Sequence, residues 1–516
     1  MIARLGEKRI FWLTLAIVVA VAVWFRIDGL TKPAFWLDEA YSAYGAEKSF
    51  SFIGQILPGY ETHPPFYTAL LRCWILVFGN SILGFRSLGV VTGLISLIFV
   101  WFAAREVGTA TGRSPVWTGL AALAMAAVLP AIVVWTGVAR PYAPIMLAYG
   151  AGLWAVLKIA RTLREEGRIP NGPWYLYLLC QALLFWLHNL GALNVASLGL
   201  GLIILCGPLR LYQEFKLRFI AGHALLLLAA LPAFLILLDQ APTWVNSTWL
   251  AFNPSEVPLT LLEVYGVPWY TGAGFAIALI VMAFRNEARV PAALLTMTLF
   301  PVMVSLLVSA TITPVFLPRT LIAVTLPFVM LLGLGVVSGP RMGVPVYLLL
   351  LLLAAKLSFE MKETPRPENW YGAADWLKSR IKPGDLIYAY PNETALPLHY
   401  ALRERQALAP IRPIPEAVPS HDPTGWYPTG SRGVVSLPQY RLEQIASDAQ
   451  SQGAQRIWLV RLGAPKYDKG QGLVRALLRS HVPFAIWPNR KLTEEPPQLI
   501  DIIGLQKRQK VADRKN

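Results

Sequence analysis

Apolar residues run in blocks of 16 to 22 through the first 358 positions, most of them separated by short polar turns and the first two by a long loop over about 28–82. A helix rises 1.5 Å per residue, so about 20 mostly apolar residues cross a bilayer. The blocks predict spans near residues 10–27, 83–104, 115–136, 141–160, 174–190, 191–207, 219–238, 268–284, 290–311, 319–337 and 343–358. The run Phe66–Gly79 is apolar but too short to span and is expected to lie at the interface. The first block reads as a retained span rather than a cleaved signal. After Ser358 the pattern changes to soluble periodicities. Asn369–Ile381 and Tyr440–Ser451 read as amphipathic helices. Asp385–Tyr390, Arg456–Arg461, the residues around Ile486, and Leu499–Leu505 read as strands. Pro410–Pro438 is proline-rich and reads as loop, and the basic tail from Lys507 as frayed.

The expected fold class is therefore a polytopic α-helical membrane protein of about eleven transmembrane helices, with a C-terminal α/β soluble domain on the outer side. The expected domains are 1–358 and 359–516, with a first outer loop over about 28–82. Charge supports the division. The first 358 residues carry 23 Lys+Arg and 14 Asp+Glu; the last 158 carry 23 and 16, a soluble density. A mean hydropathy of +0.48 excludes an ordinary soluble enzyme. The net charge of +16 would suggest nucleic acid in a soluble chain. Here its position argues otherwise, because alternate turns are basic: Arg105 and Arg113; Lys158, Arg161, Arg164 and Arg168; Arg210, Lys216 and Arg218; Arg285 and Arg289; Arg341. That alternation follows the positive-inside rule, and it places the N-terminus in the cytoplasm and the C-terminal domain outside, with no nucleic-acid partner. Cys73, Cys180 and Cys206 all lie in apolar stretches and offer no disulfide framework.

With sides assigned, a second set of polar residues falls on the outer face. They are Asp38 and Glu39 in FWLDEAYS, His63 in THPPFY, Arg140 and Tyr142 in VARPYAP, His188 in FWLHNL, and Arg319 in PVFLPRT. Singly each has an ordinary explanation: a solvated pair, a rigid turn, a snorkelling anchor or a packing residue. Jointly, carboxylates and cations at one face predict a single outward polar cavity, since ionisable groups at membrane depth are costly unless they pair or serve a site.

WLDEAY (36–41), HPPFY (63–67), FGNSILGFRSLGVVTG (78–93), ARPYA (139–143), His188 after an apolar run and PVFLPR (314–319) occur in an order that resembles the C-type superfamily of polytopic glycosyltransferases. The likeness is to the bacterial branch related to protein O-mannosyltransferases and lipid A aminoarabinose transferases. One departure is Thr320, where that branch often has tyrosine after the arginine. The resemblance implies an inverting transfer of a sugar from a polyprenyl-phosphate donor to an acceptor hydroxyl at the outer face of the cell (inner) membrane. The acceptor would be lipid, polysaccharide or protein.

Under that reading Asp38 is the expected base, because a hydroxyl must lose its proton as the new bond forms. Glu39 would orient the acceptor or adjust Asp38. His63, Arg140 and Arg319 would bind the donor phosphate, and Tyr142 and His188 the sugar or carrier. No cofactor is required; Asp38, Glu39, His63 and His188 are the residues that could hold a divalent metal, which some relatives use. The competing class is a transporter or lipid flippase, which would show internal repeats, broken helices and mid-depth charges; none of these is visible in the sequence.

Overall fold

The computed structural model describes residues 2–59, 63–247, 252–267, 272–285, 287–364, 367–407, 409–418, 437–451, 455–494, 496 and 498–508. It divides into two compact units. The first comprises Met1–Leu30, Lys48–Ala241 and Leu250–Thr364; the second comprises Thr31–Glu47, Pro242–Trp249 and Pro365–Asn516.

Each of the eleven apolar blocks contains a helix of the first unit. Among the described residues six are long and apolar enough to cross a membrane: Lys8–Ile27, Ile82–Ala110, Tyr142–Glu166, Leu217–Asp239, Arg289–Thr311 and Pro340–Glu363. This is a multi-pass membrane protein. Shorter apolar helices cover Phe66–Phe78, Gly191–Cys206, Ala273–Ala283 and Ile322–Ser338. Burial ranks the helices: 83% of the apolar window of Tyr142–Glu166 is buried, against 17% for Leu217–Asp239. The first is packed by helices Ile82–Ala110 and Asn171–Leu187. The second exposes Leu225, Leu227, Leu228 and Leu235, a face suited to lipid rather than water.

The block 115–136 is one run in sequence but two helices in space, Pro115–Val128 and Pro130–Thr136, bent by 60°. Pro130 has no N–H to give to Ala126, and its ring displaces the preceding turn. The carbonyls freed by the break are not left bare in an apolar medium, where each would cost several kcal/mol. Fully buried Arg26 donates to the oxygens of Ala126 and Ala127, both at 3.2 Å, and to Ala22 at 2.8 Å. The Ser358 hydroxyl donates to the carbonyl of Val128.

In the second unit five strands form one sheet: β1 (Leu386–Tyr390), β2 (Ile411–Pro413), β3 (Arg456–Leu462), β4 (His481–Trp487) and β5 (Ile500–Lys507). Their order is β2-β1-β3-β5-β4; β1 runs parallel to β2 and β3, and β5 antiparallel to β3 and β4. Alternate residues serve opposite faces. Ile457 and Leu459 meet the helices Gln439–Ser451 and Gly472–Leu477. Trp458 and Val460 meet Trp370–Lys378 and Ala395–Glu404, with Ala34 and Leu37 packed into the same core. Cover on both faces explains why β3 reads as an unbroken apolar run. The helix Ala395–Glu404 and strand β2 do not stand out in the sequence. Pro397 falls in the first turn of that helix, where proline is tolerated, and β2 is a three-residue strand in the proline-rich stretch. Most of that stretch lies outside the described residues, as does the tail beyond Arg508.

Candidate active site

In the first unit the site candidates stand where helices break or turn. Arg140 occupies the turn between Pro130–Thr136 and Tyr142–Glu166. That turn presses on helix Ile82–Ala110 at two glycines. A Cβ on Gly89 would stand 2.7 Å from the Thr136 oxygen and 2.9 Å from that of Val138, and one on Gly93 would stand 2.6 Å from Thr136 Cγ2. Both glycines lie in the FGNSILGFRSLGVVTG segment, and close approach is their local function. Arg86, in the same segment and fully buried, donates to the Leu30 carbonyl at 2.7 Å.

His188 lies in the turn between Asn171–Leu187 and Gly191–Cys206 and is buried. Its Nδ1 accepts from the Leu190 N–H at 3.0 Å, a bond shared with Asn189 Oδ1 at 2.9 Å. A ring nitrogen that accepts carries no proton, so the neutral ring presents Nε2–H as its donor. His63 precedes Pro64 and Pro65 at the start of helix Phe66–Phe78. Its ring centroid is 4.2 Å from that of His188. Tyr142, buried in the first turn of its helix, is 6.5 Å from His188 and meets Trp135 edge-on at 5.3 Å. His63, Arg140 and Arg319 lie close enough to His188 to act on its ring electrostatically. One basic cluster therefore holds His63, Arg140, His188 and Arg319, with Tyr142 beside it. The helix Tyr142–Glu166 starts there without a side-chain cap, so its positive end adds to the field.

Arg319 is not on the late span predicted over 319–337. It sits in a separate 3-10 turn, Pro318–Thr320, and the α-helix begins only at Thr325. Ser309 Oγ accepts from the N–H groups of Val315 and Phe316 at 2.9 and 2.8 Å, which folds the chain back after helix Arg289–Thr311. Thr320 Oγ1 then bonds the carbonyls of Leu317 at 2.9 Å and Val315 at 3.1 Å. A cavity of about 200 Å³ opens just before Arg319, lined by Phe252, Glu256, Thr260, Glu263 and Phe316 among others. Burial pushes the Glu263 carboxyl above its ordinary value.

Asp38 and Glu39 belong to the second unit, in the first turn of helix Leu37–Glu47. Glu39 is fully buried and Asp38 half-buried. The Leu37 N–H donates to Glu368 Oε2 at 2.9 Å, and that oxygen also takes Trp370 Nε1–H at 2.7 Å. At the other end Glu47 accepts from Tyr400 at 2.9 Å and pairs with Arg403 at 2.9 Å. Burial, followed by the Glu47 carboxylate, holds the Tyr400 phenol well above its ordinary value, so it is a fixed donor. Sequence reasoning missed Arg26, Glu368, Ser309 and the structural use of Thr320. Nothing local marks the first two, whose partners are about 100 and 331 residues away. Among the described residues no group of three or more His, Cys, Asp or Glu is arranged to hold a metal.

No family model matches the chain, and no curated protein matches it. Solved structures do. ArnT from Cupriavidus metallidurans in the apo state is similar at TM-score 0.59 and 13% identity, over 97% of this chain and 98% of that one. The same protein bound to undecaprenyl phosphate gives 0.57 at 13%, again over 97% and 98%. The Archaeoglobus fulgidus oligosaccharyltransferase tethered with an acceptor peptide gives 0.50 at 13%, over 98% of this chain and 74% of that one. The arabinofuranosyltransferase AftD from Mycobacteria gives 0.50 at 13%, over 97% and 40%. At these identities the likeness concerns the fold, and it runs through nearly the whole of this chain.

Proposed function

For a chain with the C-type glycosyltransferase fold, we propose an integral-membrane, inverting glycosyltransferase that moves a sugar from a polyprenyl-phosphate donor to an acceptor hydroxyl at the outer membrane face. The observation that carries the proposal is the gathering of His63, Arg140 and Arg319 around His188 at the ends of apolar helices. Three groups able to carry positive charge form an anion site, and a similar fold has been solved bound to undecaprenyl phosphate.

The chemistry assigns the rest. Asp38 takes the proton of the acceptor hydroxyl as its oxygen bonds to the anomeric carbon. The bond from that carbon to the phosphate oxygen breaks with its electron pair, and the lipid phosphate leaves. A single displacement inverts the anomeric centre. Negative charge grows on the departing phosphate, and Arg140 and Arg319 stabilise it with planar forks suited to phosphate. His63 adds a charge that depends on pH. Tyr142 and the Nε2–H of His188 bind the sugar or the carrier head, and Glu39 orients the acceptor. This route draws its positive charge from side chains and passes no step through a metal ion. The basic turns support a cytoplasmic N-terminus and a C-terminal domain outside the inner (cell) membrane. The sugar is a hexose or pentose, and the acceptor a lipid, polysaccharide or protein. The fold of the neighbours gives no support to a transporter or flippase.

The test is reconstitution of the purified protein with labelled polyprenyl-phosphate sugars, wild type beside Asp38→Asn. Loss of the base is expected to lower transfer by about 10² to 10⁴ while donor binding persists. Failure of the wild type to consume any such donor overturns the function. Transfer by Asp38→Asn at the wild-type rate removes Asp38 from its role.

A further inference from the structure

We infer that the C-terminal unit sets the orientation of the Asp38 helix, and that Glu368 is its positioning residue. The role of Asp38 rests on the glycosyl-transfer reading above, whereas the tie itself does not.

Helix Leu37–Glu47 is short, eleven residues, and has a glycine at position 45 and little apolar surface of its own. Such a helix does not hold itself in water. Its stability must come from packing, and within the second unit it is tied at its start, its middle and its end. At the start, the first N–H groups of any helix lack internal partners. The Leu37 N–H finds Glu368, a carboxylate from a segment 331 residues later. Glu368 is in turn fixed by the indole N–H of Trp370, which is fully buried in the sheet's helical cover. In the middle, Tyr41 donates to Glu393. At the end, Glu47 holds Tyr400 and Arg403, both on helix Ala395–Glu404. Ala34 and Leu37 enter the core formed by Trp370, Leu398 and Val460, and Phe35 meets the Tyr400 ring edge-on at 5.3 Å.

The bond at Leu37 has the most direct effect on chemistry, because the next residue is Asp38. A negative carboxylate at a helix start also complements the positive end of the helix dipole. Removing it frees the first turn to fray, and the carboxylate direction of Asp38 frays with it. Transfer depends steeply on that direction: a misplacement of about 1 Å can cost about 10²-fold. The donor-binding cations are on the other unit, so the expected signature is a fall in kcat with donor KM retained.

The experiment uses full-length protein and two readouts, steady-state transfer and hydrogen exchange of the 37–47 amides. Glu368→Ala is expected to lower kcat at least tenfold with donor KM within twofold, and to speed exchange in the first turn of that helix alone. Glu368→Gln keeps an acceptor oxygen for Leu37 and Trp370 and is expected to restore both readouts to within threefold of wild type. A wild-type kcat in Glu368→Ala, a change confined to KM, or a Gln variant no better than Ala overturns the inference. Should Glu368→Ala not fold, Tyr41→Phe, which loosens the same helix at its middle, must show the same split on a smaller scale, and wild-type kcat there overturns it. If the wild type transfers no sugar, the exchange readout still decides the tie: unchanged protection in Glu368→Ala overturns it.

Discussion

Arg140, His188 and Arg319 stand at breaks between helices, each held by its immediate chain neighbours or by a close backbone approach. Asp38 and Glu39 stand in the first turn of a helix whose ties at Leu37, Tyr41 and Glu47 come from more than 300 residues away. Under the proposed function the two designs suit different tasks. A phosphate is large, multiply charged and matched by several donors at once, so a cluster of cations on rigid turns can hold it while one member adjusts. A base must meet one hydroxyl along one line, and a short helix wedged into a folded domain gives that direction. The difference also concerns damage. A change in the basic cluster should be read in donor dependence, and a change in the ties of the acidic helix in turnover.

The largest effect within the basic cluster is expected from Arg319→Ala. Loss of the guanidinium should lower kcat/KM for the donor at least tenfold, about 1.4 kcal/mol or more of transition-state stabilisation. Affinity for undecaprenyl phosphate alone should fall as well, measured by quenching or calorimetry in detergent. Donor kinetics that do not change would take the phosphate away from this cluster and break the comparison at its centre.

His188 sharpens the comparison further, because one ring serves both a turn and the site. Nδ1 accepts from Leu190, and Nε2–H is the donor left for a ligand. His188→Asn keeps an acceptor near the first position and loses the second; His188→Gln reaches the second and loses the first. A ligand role predicts that the Gln variant retains more donor use, by about threefold for a hydrogen bond of ordinary worth. A turn role predicts the reverse order. Initial rates at several donor concentrations, with melting temperatures alongside, separate the two.

How much of this was legible from the sequence depends on how far apart the partners lie. Helix existence is encoded locally, and each of the eleven apolar blocks holds a helix. The break at Leu129–Pro130 is also a local event, yet what makes it tolerable is Arg26, about 100 residues earlier, whose position at a helix end reads only as an anchor. Strands β1, β3, β4 and β5 were legible in the sequence and β2 was not, and RIWLVR read as buried because it is. Its last arginine is buried too, held by three bonds to Asp501 and Asp468 at 2.6 to 3.0 Å, partners that no pattern around Arg461 announces. The site candidates were found as residue types on one face. Their gathering into one outward cavity was an expectation from that shared face, whereas the attachment of residues 31–47 to the C-terminal unit was not foreseen, because Glu368 and Arg403 meet that segment only through the fold.

Thr320 marks the smallest expected effect and the finest test of the contrast. The branch that the sequence resembles often places tyrosine after the arginine, and with Thr320 in that place a tyrosine contact to the donor is not carried over to this chain. The threonine instead closes the turn that carries Arg319, through bonds to Val315 and Leu317. The one hydroxyl proton is shared between these two carbonyls, and such a bond contributes about 0.5 to 1.5 kcal/mol net. Thr320→Val removes both and keeps the shape, while the Ser309 bonds to Val315 and Phe316 and the backbone bond from Leu321 to Pro318 still hold the segment. Part of the lost energy should appear as a looser guanidinium rather than an unfolded turn. The expected result is a donor KM raised about two- to threefold with kcat unchanged. A fall in kcat at constant KM would move Thr320 from the donor side of the comparison to the side of the acidic helix. An effect as large as that of Arg319→Ala would mean that the turn, more than the charge it carries, governs donor use.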